Sequence, residues 1–579
     1  MSFTDRLLSL PNLNAVYSAV LLEELRRGGL GHVFLCPGSR CSALTAAVAA
    51  SSVPHTMVTD ERGAGFAAIG FARASGRPAA VVVTSGTAVA NLLPATVESC
   101  GAPLEMLTPV APVTHPLRRM QDTGANQTVA QVGMLGPLRW FKDVPPPAES
   151  EPLVAWLADA AYAAACTLRQ PQGPVQLNLQ YREPLAPSAA AWPAALLEAP
   201  RVASWPPAPL AYRELLASSS PFTVYSTAEG PPGEEVVAPL AALLAGARRG
   251  AGGGCRGCGV VVAGAMRSDA GRRAAAALAA RLGWPLLADI NSGLRKPGAA
   301  GESEGATMSA AAVRSVPLYD LLIGAEEVAP PDVVLMAGEW PAWVARHVCA
   351  VLARREAATG TRADPAGSRG GGARHFLFCS SSLPIRHLDM YCAVAPEARS
   401  KPNPRPSLAE VLSNRGASGI DGILHAALGA ALASPQGGCT CLVGDVAALH
   451  DLSALPALAA AAPPLTVVIL NNGGGGIFHY LPIASHQVFT PYFDTPHTHS
   501  FDSVCRGFGL PYAAASTAEA FEAAYGAALA GGSLSLIEVF CHKEETHRTH
   551  QQLLGVARAV ARRVLASGAR DSALRGGAV

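Results

Sequence analysis

Apolar residues recur along the chain in two alternating rhythms. Helical spacing over Ala15–Arg27 runs into the apolar stretch His32-Val33-Phe34-Leu35-Cys36, and a Pro37-Gly38-Ser39 turn follows. The spacing predicts a helix and then a fully buried strand. The alternation returns at strand Ala79–Thr84 before Ser85-Gly86-Thr87, and at strand Val260–Val262 before a helix over Gly271–Leu282. It returns again at strand Thr440–Val443, with a helix over Ala447–Ala461 and a strand over Leu465–Leu470. Continuous apolar strands separated by helices make parallel sheets with both faces covered. The predicted fold class is α/β, as three domains with parallel sheets covered by helices.

Seams rich in Pro, Ala and Gly divide this pattern. Ala186–Pro209 reads as a linker, Gly246–Gly259 and Ala357–Ala373 as low-complexity inserts, and Pro402–Pro406 as a further seam. The domains expected from them are residues 1–187, 210–395 and 405–565, followed by a frayed tail. The outer two are alike in size and alternation, a repeated architecture around a middle domain.

Composition narrows the class. The 579 residues suit three or four domains, and half of them are hydrophobic. A net charge of +1, with only 15% charged residues, supplies no basic field for nucleic acid or anionic lipid. The best apolar run, Ala454–Leu470, contains Pro456, Pro463 and Pro464, so no membrane span is expected. The 13 cysteines, odd in number and scattered, suit a reducing compartment better than a disulfide framework.

Candidate chemistry sits at strand ends in two places. Gly444-Asp445 closes one strand and Asn471-Asn472 the next, so a right-handed crossover brings both pairs to one carboxyl edge, where ligands of open α/β sheets bind. A carboxylate, an amide oxygen and the carbonyls of Gly473–Gly476 are hard oxygen donors suited to Mg²⁺ on a diphosphate. On spacing alone, ordinary strand-end turns explain the same residues. The other constellation is Asp60-Glu61-Arg62-Gly63 followed by Thr84-Ser85-Gly86-Thr87-Ala88-Val89-Ala90-Asn91. Glu61 opens a nearly uncharged helix over Gly63–Ala72, either as a helix-start charge or as a desolvated acid.

Together the two constellations resemble the thiamine diphosphate enzymes. The likeness narrows on Cys36–Arg40, Asp60–Gly63, Thr84–Asn91, Gly124–Gln127, Arg182–Leu185, Asn414–Gly422 and Asn471–Phe478. These segments, in order along nearly the whole chain, resemble the 2-succinyl-5-enolpyruvyl-6-hydroxy-3-cyclohexene-1-carboxylate synthase family of menaquinone and phylloquinone synthesis. The resemblance implies a thiamine diphosphate-binding fold, with pyrimidine and diphosphate domains flanking a central one. It also implies a homodimer or homotetramer with the active site between subunits.

The reaction so implied is decarboxylation of 2-oxoglutarate followed by 1,4-addition of the resulting carbanion to isochorismate. The cofactors would be thiamine diphosphate and Mg²⁺, or Mn²⁺. Glu61 would be catalytic, stabilising the imino form of the aminopyrimidine. Ser85, Gly86, Thr87, Ile420, Gly444, Asp445, Asn472 and Gly474 would hold the cofactor, with Asp445, Asn472 and the Gly474 carbonyl as metal ligands. Ser39, Arg40, Asn126, Gln127, Ser382, Arg386 and Arg415 would meet the substrates, whose carboxylates suit guanidinium clamps.

The sequence departs from that pattern in three places. The family's Thr-Ala-Asp-Arg-Pro is replaced by Leu107-Thr108-Pro109-Val110-Ala111-Pro112, without the arginine, although Arg118 and Arg119 follow. The central Lys-Arg pair has no counterpart in Gly338–Val348, where only Arg346 is basic, and Gly473 replaces Asp or Asn. Two other readings are therefore a related 2-oxo acid decarboxylase or carboligase with another acceptor, and a catalytically weak cofactor-binding homologue. The Gly/Ala/Arg inserts suit a green-algal gene and the plastid stroma. The absence of a visible leader suits the bacterial cytoplasm.

Overall fold

A computed structural model of the chain describes residues 2–99, 129, 131–136, 138–169, 172–186, 188–197, 216–225, 237–239, 241–242, 244, 259–264, 266, 269–292, 294, 374–391, 410–552, 555 and 559, with the backbone of strands Leu107–Val113 and Val333–Ala337. Three parallel sheets organise it. Across the first, the strands lie in the order His55–Met57, His32–Leu35, Ala79–Val82, Leu107–Val113, Val175–Gln180, Trp140–Val144. Across the third, they lie in the order Glu410–Ser413, Phe376–Cys379, Cys439–Gly444, Leu465–Asn471, Ser535–Phe540, Tyr512–Ala515. Numbered along the chain, both sheets read 2-1-3-4-6-5, so the repeated architecture extends to strand order. A smaller sheet between them runs Leu286–Ala288, Gly259–Ala263, Val333–Ala337.

Continuous apolar runs explain the central strands. His32–Leu35, Ala79–Val82 and Phe376–Cys379 are buried at every position, as strands covered on both faces require. Among the described residues, no helix is long and apolar enough to cross a membrane.

Three sequence expectations are corrected. Strand Phe376–Cys379 pairs with both Glu410–Ser413 and Cys439–Gly444, so the third sheet begins there and the boundary at 395–405 falls inside it. The Phe-Leu-Phe-Cys run needs a covered slot, which the third sheet provides between two neighbours. The helix expected over Ala447–Ala461 is two helices, Asp445–His450 and Ala454–Ala461. Between them Asp451 turns inward, and its Oδ2 accepts the Leu424 and His425 N–H groups at 2.8 and 3.1 Å. The Ala186–Pro209 seam is also more than a linker, because part of it packs on the first domain. Asn12 Nδ2 donates to the Ser188 carbonyl at 2.9 Å, and Trp192 Nε1 donates to the Leu10 carbonyl at 3.0 Å.

The outer domains share one core. Phe34, Phe66 and Phe71 belong to the same buried cluster as Phe376, Leu424 and Leu458. Its seam is formed by helix Glu61–Ser75 and helix Ile423–Ala433, each of which follows the second strand of its own sheet. Small residues permit the approach. A β-carbon on Gly429 would lie 1.9 Å from the Ala67 carbonyl oxygen, and one on Gly63 would lie 2.2 Å from His425 Nε2. The contact packs the helix that begins with Glu61 against the helix that follows the Asn414–Gly422 segment.

Candidate functional site

The third sheet builds the first half of the site. Strands Cys439–Gly444 and Leu465–Asn471 run in register, with Gly444 beside Leu470, so their ends emerge together. Asp445 opens a helix there, and its Oδ2 accepts N–H groups from Asn472 at 3.1 Å and Gly474 at 3.0 Å. The Gly474 carbonyl accepts the Gly476 N–H at 3.0 Å. The sequence-predicted trio of Asp445, Asn472 and Gly474 is thus brought together, with Gly444 at its base.

These residues suit a cation. Asn472 Oδ1 is buried with no hydrogen-bond partner among the described residues, and His497 Nε2 lies 3.3 Å from Asp445 Oδ2. An orphaned acceptor beside a carboxylate fits a metal bound through oxygen. The glycine loop is shaped for close approach. Gly474 has φ +145°, and a β-carbon there would lie 2.2 Å from the Asp494 carbonyl oxygen. Gly473, at φ +72°, donates its N–H to Asn471 Oδ1 at 3.1 Å, so the Gly replacement leaves the turn's backbone contact in place.

No sequence motif signals what braces this loop from behind. Asp494 accepts from Lys543 Nζ at 2.6 Å and lies 3.2 Å from His479 Nε2, while its carbonyl accepts the Gly475 N–H at 2.7 Å. None of the three side chains lies in a recognisable motif.

The first sheet builds the second half. Glu61 begins helix Glu61–Ser75, and its Oε2 accepts a hydrogen bond from Asn91 Nδ2 at 3.1 Å. Helix Thr87–Ala90 starts at Gly86, whose φ of +87° belongs to glycine and whose N–H donates to Gln131 Oε1 at 3.2 Å. The hydroxyl of Ser85 is buried without a partner among the described residues, and so is that of Thr84. Burial pushes the neighbouring Cys36 thiol well up, and the Glu61 charge adds to the effect. Arg62 links the two halves by donating to Asp421 Oδ1 at 3.1 Å, one residue beyond the partly exposed Ile420.

Positive charge gathers nearby. Arg386 Nη1 is buried without a hydrogen-bond partner among the described residues. Burial and the adjacent Arg415 charge hold its guanidinium below the ordinary value, and burial does the same to Arg415. Arg386, a desolvated cation, suits an anion, while the Asp289 and Glu98 charges partly offset that of Arg415. Arg386 lines a cavity of about 340 Å³ with Leu383, His387, Ile477, Phe478, Tyr480, Leu481 and His550. Burial, with His550 adding, pushes His387 down to about 4, so the cavity's charge at neutral pH comes from Arg386.

Of the other expected substrate residues, Ser382 is partly buried beside Ser381, whose Oγ donates to the Asn414 carbonyl. Ser39 is exposed, and Arg40 lies 3.7 Å from Glu183 Oε1. Asn126 and Gln127 lie outside the described residues, as do Arg118, Arg119 and Gly338–Val348. The apolar cavity residues beyond Phe478 had no sequence signal, because scattered Leu and His side chains carry no spacing rule.

Comparison with known proteins agrees with this layout. The family described as thiamine pyrophosphate enzyme, N-terminal TPP binding domain, matches residues 16–134, and the corresponding C-terminal TPP binding domain matches residues 405–539. The chain therefore carries both halves of a thiamine diphosphate site. A Rubrobacter xylanophilus protein named 2-succinyl-5-enolpyruvyl-6-hydroxy-3-cyclohexene-1-carboxylate synthase is 37% identical, with 94% of this chain and 98% of that protein covered. A Salinibacter ruber protein of the same name is 35% identical over 96% and 98%. Among solved structures, the Rhodococcus jostii RHA1 thiamine diphosphate-dependent 4-hydroxybenzoylformate decarboxylase superposes with a TM-score of 0.58 at 18% identity, covering 91% of this chain and 99% of that one. That likeness concerns the fold alone.

Proposed function

The chain belongs to the 2-succinyl-5-enolpyruvyl-6-hydroxy-3-cyclohexene-1-carboxylate synthase family, and from that premise we propose that it decarboxylates 2-oxoglutarate and joins the remaining four carbons to isochorismate, a step of menaquinone or phylloquinone synthesis. The observation that carries the proposal is the convergence of Asp445, Asn472 and Gly474 at one strand edge, with Asn472 Oδ1 unpartnered among the described residues.

In this reading Asp445, Asn472 and the Gly474 carbonyl hold Mg²⁺ or Mn²⁺ on the cofactor diphosphate. Thiamine diphosphate, when bound, supplies the electron sink that decarboxylation of a 2-oxo acid requires. Ser85, Gly86 and Thr87 would bound the pyrimidine side, and Ile420 would pack against the cofactor. Asn91 engages Glu61 Oε2, which leaves Oε1 to hold and return a proton at the pyrimidine ring nitrogen.

Arg386 and Arg415 take substrate carboxylates, helped by Ser39, Arg40, Ser382, Asn126 and Gln127. The cavity beside Arg386 is apolar over most of its wall, which suits a ring or carbon chain with charge at one end. The active form is a homodimer or homotetramer with the site between subunits. Exposed Met57, Leu93 and Val97 near the Glu61 helix support that assembly.

Substrate choice tests the proposal. Purified protein with Mg²⁺ and thiamine diphosphate should consume isochorismate when 2-oxoglutarate is added and not when pyruvate replaces it. Equal consumption with pyruvate would favour a less selective carboligase.

A further inference from the structure

A carboxylate of the first domain grips the loop that carries Arg415 and Ile420. Glu98 lies in helix Leu93–Ser99 and is only 2% exposed. Its Oε1 accepts the Gly416 N–H at 2.8 Å, and its Oε2 accepts the Ala417 N–H at 2.7 Å and the Ser418 N–H at 3.1 Å. Three successive backbone N–H groups curled around one anion form a nest, and Ser418 adopts φ +62° to close it. Arg73 completes the grip. It donates to Glu98 Oε1 at 3.0 Å and, through its other nitrogen, to the Ser413 carbonyl and Asn414 Oδ1, both at 2.6 Å.

We propose that Glu98 is a positioning residue for the reaction, holding the Asn414–Gly422 loop so that Arg415 and Ile420 keep their places at the site. This rests on the roles given to those two residues above. A buried carboxylate needs compensation, and Arg73 alone would supply it. The three N–H contacts are additional, and they fix the direction of the backbone on both sides of Gly416. The fit leaves no slack, because a β-carbon on Gly416 would lie 1.8 Å from the Glu98 carbonyl oxygen. Arg415 lies between the two residues that Arg73 holds and the first residue of the nest, and Ile420 lies two residues past the nest's end, so a loosened grip would misplace both.

A glutamine at position 98 would turn an amide N–H₂ toward the N–H groups that the carboxylate now receives. For Glu98→Gln, hydrogen exchange at Gly416, Ala417 and Ser418 should accelerate ~10- to 100-fold, the loss of a charged hydrogen bond. The KM for 2-oxoglutarate should rise about tenfold or more, while the Kd for thiamine diphosphate with Mg²⁺ should rise by a smaller factor, because the Ile420 contact shifts but Asp445 and Asn472 stay in place. Should the variant fail to fold, Gly416→Ala displaces the loop without altering the buried charge, and the same KM shift is expected. Unchanged exchange, or faster exchange with wild-type KM, would overturn the proposal. Exchange and cofactor affinity are read without substrate, so a wild type inert toward 2-oxoglutarate would refute the functional reading by itself.

Discussion

Gly70 lies so close to Ala426 that a β-carbon on it would be 1.8 Å from the Ala426 carbonyl oxygen. The contact joins the helix that begins with Glu61 to the helix that follows the Asn414–Gly422 loop. Backbone cannot yield as a flexible side chain can, so Gly70→Ala should cost about 3 kcal/mol or more. Gly526→Ala is the control. That glycine is exposed within helix Ala518–Gly531 with nothing near its missing β-carbon, and the change should gain about 0.5–1 kcal/mol. Urea unfolding of both variants checks the pair, and a Gly70→Ala protein as stable as wild type would show that the two helices do not pack this closely.

Glu61→Gln retains an oxygen for Asn91 and removes the carboxylate proposed to exchange a proton. Turnover should fall ~100-fold to 10⁴-fold, with thiamine diphosphate still bound. A single-turnover assay alongside cofactor titration decides this. Activity within tenfold of wild type would assign the proton transfer elsewhere.

Asp445→Ala removes the charge proposed to face the metal and the acceptor for both the Asn472 and Gly474 N–H groups. Cofactor affinity in Mg²⁺ should fall ~10-fold to 150-fold. Affinity in the presence of a chelator should change little, since the metal is then missing from both proteins. Equal losses with and without metal would show that Asp445 only shapes the loop.

Acid should weaken the first domain through His32. Burial, with His55 adding, pushes this imidazole down to about 4, and its Nε2 lies 2.9 Å from Thr56 Oγ1. The unfolded chain protonates it near its ordinary ~6.5, so its contribution is whole above that pH. The contribution is lost as pH falls from ~6.5 toward 4, because only the unfolded state has gained the proton. His32→Gln, which can keep the Thr56 contact, should flatten the stability profile between pH 6.5 and 5 by about 1 kcal/mol per pH step. An unchanged slope would assign the acid sensitivity to other groups.

The strands and their polar ends were legible because a strand buried on both faces must be apolar throughout, and Gly444-Asp445 and Asn471-Asn472 interrupt such runs. The start of the third sheet at Phe376 was not. A low-complexity insert precedes it, and only pairing with Glu410–Ser413 and Cys439–Gly444 reveals its sheet. The break at Asp451 was hidden because apolar spacing continues across it, while its partners, Leu424 and His425, lie on another helix. Glu98 was invisible for the same reason in stronger form, since the Gly416 N–H that it accepts lies 318 positions away. Local pattern reports elements, and long-range polar contacts between single residues leave no local trace.

The most direct measurement is the carbon balance of the reaction. Carboxyl-labelled 2-oxoglutarate and isochorismate are supplied separately and together to the protein with Mg²⁺ and thiamine diphosphate. One labelled carbon dioxide should be released for each isochorismate consumed, and the product's mass should be the sum of the two substrates less carbon dioxide. Carbon dioxide released at the same rate without isochorismate, or isochorismate left intact by protein that binds the cofactor, would contradict it.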